Sequence, residues 1–169
     1  MRTRSLLIGL LCVVGMAMVF LPLQKVFAFT ETRTDQPIMH YISATTDKSF
    51  RIRYTHSIHK SDVLEHYQYT ADHRIQMMGM EYEDLAIGMP GYADEGQKLT
   101  QHDGKYFLKF EEEILEDFTI YIGDLDIDLV FEYEGYEYDL KKDLQRGKSY
   151  LFQVKKVSLY EQWKGVRMK

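Results

Sequence analysis

Apolar and polar residues alternate with a period of two over most of the chain after residue 49. This period is typical of strands with one buried face, because successive side chains of an extended chain point to opposite sides. Runs rich in Tyr, Phe, Ile and Val indicate eight strands, near residues 50–58, 63–70, 74–82, 105–110, 118–123, 126–133, 136–140 and 149–157. Short strands at this spacing predict an all-β domain, either an antiparallel β-sandwich or a partly open barrel of about eight strands.

The first 28 residues follow a different pattern. Two arginines in the first four residues precede an uncharged apolar run from Leu6 to Leu23, and the small residues Val26 and Ala28 follow at the spacing that a signal peptidase recognises. We therefore interpret residues 1–28 as a signal peptide or an uncleaved signal anchor, with an apolar leader helix in residues 6–23 that is long enough to cross a bilayer. The positive start favours the cytoplasmic side, so the remaining chain is expected to be exported, at the cell surface or in the extracytoplasmic space.

Composition divides the rest of the chain further. Residues 29–48, with Thr, Asp and Pro, are interpreted as a linker or a loose first strand, residues 49–160 as the β-sandwich domain and residues 161–169 as a basic tail. The tail is either a solvated charged end or a contact with an anionic membrane surface. The connection from Glu83 to Gly104 is rich in glycine and about 20 residues long, which favours a functional loop or lid over a disordered insertion.

Charge and cysteine content argue against a nucleic-acid-binding protein and against a domain stabilised by disulfides. Without the three basic residues of the leader, 18 basic residues face 26 acidic ones, a net charge of −8. Nucleic acid is not expected as a partner, because phosphate contact requires basic stripes. The only cysteine, Cys12, lies inside the apolar run, so the exported body has no disulfide to stabilise it.

One polar pair stands out in the stretch R-Y-T-H-S-I-H-K-S-D-V-L-E-H-Y at residues 53–67. A hairpin with a four-residue loop at residues 59–62 would place His56 opposite Glu65 on a face that is otherwise apolar. Since a buried charge needs a partner, the two side chains would form either a structural ion pair or part of a pocket that binds a ligand or moves a proton. Ser57 would point to the other face, so it is not expected to act as a nucleophile activated by His56.

The following strand supports this hairpin. The turn near Asp72 would bring Glu65 opposite Met80.

The acidic part of the chain is interpreted as a solvated face. Asp124, Asp126 and Asp128 lack the glycine and glutamate of a calcium-binding loop, so we interpret them as the solvated side of a strand. Further along, a turn at residues 134–135 would place Glu132 opposite Glu137, an unfavourable pair of like charges. No metal and no cofactor is expected.

Four segments resemble a bacterial family of small exported domains of unknown function. They are Tyr54-Thr55-His56-Ser57-Ile58, Val63-Leu64-Glu65-His66-Tyr67, Gly88-Met89-Pro90 and Asp103-Gly104-Lys105-Tyr106. The genes of that family tend to lie beside those of tripartite TRAP-type transporters of the TAXI branch. The resemblance implies a context in the uptake of organic acids and supplies no established reaction.

These observations predict an extracytoplasmic accessory or small-ligand-binding protein associated with TRAP/TAXI-type uptake. Its partners would be a permease or solute-binding protein, a small organic anion and, through an uncleaved leader, the membrane. The candidate ligand-binding residues are His56, Glu65, Ser57, Gly88, Met89 and Pro90. A hydrolase that uses His56 and Glu65 as an acid–base pair is the alternative, and a structural envelope protein without a ligand is a third possibility.

Overall fold

A computed structural model describes residues 15–83, 85 and 88–169 of the chain. This part is mostly β, with two sheets rich in antiparallel pairs. The elements in chain order are β1 (Gln24–Glu31), β2 (Met39–Ser43), β3 (Ser49–Thr55), β4 (Asp62–Tyr69), β5 (Ile75–Tyr82), β6 (Gln97–His102), β7 (Lys105–Leu115), β8 (Phe118–Tyr121), β9 (Leu129–Tyr133), β10 (Tyr136–Asp139), α1 (Leu140–Asp143), β11 (Ser149–Val157), α2 (Leu159–Lys164) and β12 (Val166–Arg167). Residues 15–20, before β1, are also helical.

The strand order shows how the chain divides between the two sheets. One sheet has the order β12-β2-β1-β11-β8, and the other has the order β10-β9-β3-β4-β5-β7-β6. Only the pair β12–β2 is parallel among the described ladders, because α2 carries the chain from β11 over to the far edge of the same sheet. Both sheets have two free edges, so neither closes on itself.

Aromatic side chains from the two sheets meet in one core. The ring of Phe27 in β1 lies 5.1 Å from that of Phe50 in β3 and 5.0 Å from that of Phe131 in β9. Phe152 in β11 lies 5.7 Å from Phe131. Rings from opposite sheets therefore interdigitate, and their burial is the main stabilising contribution to the fold.

All eight predicted strands are present, so the expectation of a β-rich, largely antiparallel domain is confirmed. The described part contains twelve strands rather than about eight, since β1, β6 and β12 are additional and β2 is the strand that was the alternative to a linker. β6 lies in the connection predicted as one long loop and pairs with β7 through a turn at Asp103 and Gly104, which have φ of 50° and 79°. Two positive φ angles are typical of the tight turns that join hairpin strands.

The segments at the two ends of the domain are more ordered than their composition indicated. Val26 to Phe29 have no exposed surface, and β1 is the middle strand of the five-stranded sheet. β2 lies within residues 29–48, which were interpreted as a linker. In residues 161–169, interpreted as a basic tail, β12 joins the sheet and Met168 is buried in the core.

The predicted leader helix lies mostly outside the described residues, as does Cys12. In the part of the chain that the structure describes, no helix combines the length and apolar character needed to span a membrane.

The register of the first predicted hairpin is wrong. Glu65 pairs with Ile52, and Tyr54 pairs with Val63, so each partner is displaced by four residues. The loop spans six residues rather than four, because the backbone N–H of His56 donates to the carbonyl of Ser61 and that of Lys60 donates to the carbonyl of His56. A displacement by an even number keeps the apolar face intact, which is why the pattern alone did not reveal it.

Candidate functional site

Three polar side chains meet on the inner face of the seven-stranded sheet. Glu65 and Tyr67 share this face because they are two residues apart in β4, and Tyr54 reaches it from the neighbouring strand β3. The hydroxyl of Tyr67 donates a hydrogen bond of 2.8 Å to Oε2 of Glu65, and the hydroxyl of Tyr54 donates one of 3.4 Å to Oε1. We call Tyr54, Glu65 and Tyr67 the carboxyl cluster.

Burial controls the protonation of this cluster. It raises the pKa of Glu65, while the hydrogen bonds from Tyr67 and Tyr54 oppose that rise. Burial, together with the nearby charge of Glu65, also raises the pKa of both tyrosines. The tyrosines therefore stay protonated donors, and Glu65 accepts a proton more readily than an exposed glutamate does.

The predicted loop residues lie close to this face. Met89 packs against the buried side chains of Val63 and Tyr82, in a group that also includes Tyr54. The hydroxyl of Tyr82 donates to the carbonyl oxygen of Pro90 at 2.5 Å. Tyr54 is the member of the carboxyl cluster that belongs to this apolar group, and Gly88, Met89 and Pro90 do not line the cavity described below.

His56 and Ser57 are placed elsewhere. Both lie in the turn between β3 and β4, where Ser57 is exposed and Nδ1 of His56 accepts from the backbone N–H groups of Ile58 and His59 at 3.4 and 3.5 Å. Glu65 receives its hydrogen bonds from the two tyrosines instead. The predicted pairing of His56 with Glu65 across the strands is therefore wrong.

A cavity of about 580 Å³ opens beside the carboxyl cluster. Its apolar wall comes from Leu125 and Ile127 in the loop between β8 and β9, and from Leu129 at the start of β9. Tyr54 lines the cavity with its ring and bonds Glu65 with its hydroxyl, so it connects the two. A volume of this size is in the range of small-molecule sites, which are mostly apolar with a few placed polar groups.

The cavity lining carries two carboxylates, those of Asp124 and Asp128, and one cation, Lys141. Asp128 pairs with Arg53 at 3.4 Å, and Asp126 pairs with Arg146 at 3.3 Å. Lys141 in α1 lines the cavity and donates through Nζ to the carbonyl of Leu125. Asp126 and Asp128 are thus ion-paired and lie in a loop rather than on a strand, and the two arginines offset part of the negative charge beside the cavity.

A histidine–carboxylate pair does exist in this sheet, on its outer face. Nε2 of His66 in β4 lies 2.7 Å from Oε1 of Glu81 in β5, and each side chain is 32% exposed. His66 pairs with Gly79, which places Glu81 diagonally across from it. The predicted pairing of Glu65 with Met80 is confirmed. The same register places His66 opposite Gly79, two residues from Glu81, so the contact of His66 with Glu81 could have been predicted from it.

On the outer face, two arginines offset the predicted repulsion between Glu132 and Glu137. Glu132 lies opposite Glu137, as predicted. Nε of Arg53 contacts Glu132 at 3.0 Å, and Arg51 contacts the same carboxylate at 2.7 Å. These arginines come from the adjacent strand β3, so the repulsion is offset within the sheet.

Comparisons with known proteins place the chain in a family without assigning it a reaction. In the part of the chain that the structure describes, no group of three or more His, Cys, Asp or Glu residues is placed to hold a metal ion. No curated protein and no solved structure matched the sequence. The family model of a domain of unknown function, DUF1850, matches residues 50–140, which is more than half of the chain. The match includes the carboxyl cluster and the apolar cavity wall, and Lys141 lies just beyond it. The chain therefore belongs to the DUF1850 family.

Proposed function

We propose that the protein is a non-enzymatic binding domain with a β-sandwich fold, which holds a small organic molecule outside the cytoplasm. The observation that carries this proposal is the cavity of about 580 Å³ with Tyr54 in its wall and the half-buried Glu65 behind that tyrosine. An apolar wall contributes affinity, and a few polar groups at one end fix the orientation of the ligand.

The apolar wall and the single cation Lys141 support a ligand with an apolar body and one acidic end. An acidic protein normally repels anions, but Arg53 pairs with the lining residue Asp128 and Arg146 pairs with the neighbouring Asp126, which reduces that repulsion locally. Lys141 adds a cation inside the lining. A carboxylate would lie near Lys141, with its alkyl chain along Leu125 and Ile127.

The biological context of this proposal comes from the resemblance to exported domains encoded beside TAXI-type TRAP transporters. We propose that the domain is an accessory to the uptake of organic acids, and that it contacts the permease or the solute-binding protein of such a system. Export and this partnership are hypotheses that co-purification with a tagged permease from the same cell would test.

The geometry does not support the enzymatic alternative. A hydrolase with His56 and Glu65 as its acid–base pair would need these side chains to face each other, and His56 instead lies in a turn outside the strand pairing. The carboxyl cluster contains a proton acceptor and two donors, without a base–nucleophile pair. Binding is therefore the function that the geometry supports best.

The test is a titration with octanoate and octanamide, which differ only in the charge of the end group. We expect octanoate to bind more tightly by isothermal calorimetry, because only the carboxylate is attracted to Lys141. Ile127→Trp fills the cavity and should weaken binding about tenfold or more, a loss of about 1.4 kcal/mol or more.

Ile114→Trp is the matched control, because Ile114 is 41% exposed on β7 and does not line the cavity. Equal weakening by both variants would contradict a site in the cavity. No binding of either compound would favour a structural envelope protein, and tighter binding of octanamide would exclude the acidic ligand.

A further inference from the structure

We propose that the apolar leader is retained and that its last residues, together with α2, lie on the surface of an anionic lipid bilayer. This inference is independent of the ligand proposed for the cavity. It concerns the end of the five-stranded sheet where Gln24, the first residue of β1, pairs with Val157, the last residue of β11.

The first step is the burial of the segment that signal-peptide cleavage would remove. Cleavage after Ala28 would take away five of the eight residues of β1, including the fully buried Val26, Phe27 and Ala28. The ring of Phe27 contacts five other aromatic rings of the core. Since β1 is the middle strand, its loss would separate β2 from β11. The folded domain therefore begins at Gln24, and the leader precedes it directly.

The second step is an apolar surface that continues the leader onto the domain. Met16, Phe20 and Leu23 are between 57% and 68% exposed. The ring of Phe20 lies 5.2 Å from that of Tyr160 in α2, which in turn lies 6.4 Å from the ring of Trp163. Trp163 is 79% exposed. An indole this exposed beside an apolar leader is typical of the aromatic residues that lie at the headgroup level of membranes.

The third step is the positive charge around this surface. Lys25 and Lys156 lie opposite each other in the β1–β11 ladder. Nζ of Lys25 lies 4.5 Å from the centre of the Tyr69 ring, and no carboxylate among the described residues forms an ion pair with either lysine. Like charges in such positions are unfavourable unless an anion approaches them. Lys164 in α2 lies over the ring of Tyr160 and adds a third cation.

The acidic groups at this end are already engaged. Glu161 accepts hydrogen bonds from the backbone and side chain of Ser158 in the capping box of α2. Asp72 pairs with Arg74. Lysines without a carboxylate partner next to exposed apolar and aromatic side chains fit an anionic bilayer, where each basic residue near the surface contributes about 1 kcal/mol of attraction.

A lipid surface is the occupant that continuity with the leader favours. The uncharged run from Leu6 to Leu23 joins β1 without an intervening spacer, because only Leu23 separates the described turn at residues 21–22 from Gln24. A leader embedded in the bilayer therefore holds α2 within a few residues of the headgroups. A protein partner would have to cover this surface while leaving the leader in lipid.

The test uses the full-length protein in vesicles of phosphatidylcholine, with or without an equal part of phosphatidylglycerol. Trp163 is the only tryptophan of the chain, so intrinsic fluorescence reports on α2 alone. We expect a blue-shifted emission and strong quenching when the lipids carry bromine near the headgroup end of the acyl chain. Quenching should be greater with phosphatidylglycerol.

The matched control moves the only tryptophan to the other end of the same sheet. The double variant Trp163→Phe/Tyr121→Trp places it at a residue that is 60% exposed and pairs with Ser149 at the far end of β11. This probe should remain unquenched. Unquenched emission from Trp163, or equal quenching of both probes, would overturn the proposal.

Retention of the leader is measured on the same protein, purified from the membranes of the cells that produce it. Mass spectrometry of the intact chain should find residues 6–23 still attached to the domain. A mature chain that lacks these residues, or one found only in the soluble fraction, would also overturn the proposal.

Discussion

At the scale of single residues, the informative feature is a carboxyl group on the inner face of a sheet. Glu65 avoids the full cost of burial because Tyr54 and Tyr67 donate hydrogen bonds to its two oxygens. The two bonds differ in length, 3.4 and 2.8 Å, so Tyr67 is the stronger donor. Tyr54 is then the more available of the two to a ligand in the cavity.

The raised pKa of Glu65 predicts how stability depends on pH. A carboxyl whose pKa is raised by folding binds its proton more tightly in the folded state. The free energy of unfolding therefore falls as pH rises through the folded-state pKa, because the carboxyl must then ionise while it is buried. Glu65→Gln replaces the carboxyl with a group that does not ionise, so this decrease is removed. We expect the variant to be more stable than the wild type at pH 7, with the difference shrinking as pH falls towards 4.5, the ordinary pKa of the group.

Chemical denaturation at a series of pH values measures this difference. Glu112→Gln is the control, because Glu112 is exposed on β7 and its substitution should leave the pH dependence close to that of the wild type. A Glu65→Gln variant that is less stable than the wild type at pH 7 would show that the ionised carboxylate stabilises the fold.

The sequence could identify Glu65 as the anomaly but not its partners. Alternation placed it on the apolar face, which is correct. Its neighbour across the strands depended on the loop length, and that was decided by backbone hydrogen bonds between His56, Lys60 and Ser61 that have no signature in the pattern. Lys60 has a φ of 58°, a conformation that a lysine adopts only when its surroundings impose it.

At the scale of elements, β1 is the strand on which the fold depends most. Val26 and Ala28 pack on one side of its sheet, and Phe27 and Phe29 pack on the other side, in the main core. A strand buried on both faces shows a continuous apolar run instead of alternation. For this reason the run V-F-A-F resembled the end of a leader, and the strand was missed.

Truncation of one ring in β1 should be costly. Phe27→Ala removes a fully buried side chain at the centre of the aromatic core, and we expect a loss of about 3–5 kcal/mol in the free energy of unfolding. That is a large fraction of the stability of an ordinary domain. Phe20→Ala is the control, because Phe20 is 57% exposed and its loss in detergent should cost about 0.5 kcal/mol or less. Similar costs for the two substitutions, measured by denaturation, would contradict the central position of β1.

At the scale of the whole molecule, local patterns predicted the strands but not their arrangement. β1 lies between β2 and β11, and the second of these neighbours is more than a hundred residues away in the chain. The division into two sheets depends on such distant pairs, which leave no signal in a single sequence. The cavity was missed for the same reason, since its lining comes from β3, the β8–β9 loop and α1.

Two truncated chains test how far the folded unit extends. A chain that begins at Gln24 keeps all of β1 and should unfold cooperatively, whereas a chain that begins at Phe29 should lack a fixed aromatic core. Near-ultraviolet circular dichroism distinguishes them, because the packed tyrosine and phenylalanine rings give a signal only in a rigid environment. A folded chain beginning at Phe29 would show that the first half of β1 is dispensable.

The antiparallel pairing of β1 with β11 fixes how the molecule would stand on a membrane. Val157 lies at the leader end of β11, and Ser149, which pairs with Tyr121 of the cavity lining, lies at the other end. Eight residue steps of a strand span about 26 Å. With the leader embedded in lipid, the cavity would therefore lie towards the end of the sheet that points away from the headgroups, up to about that distance from them, and would open to the aqueous phase.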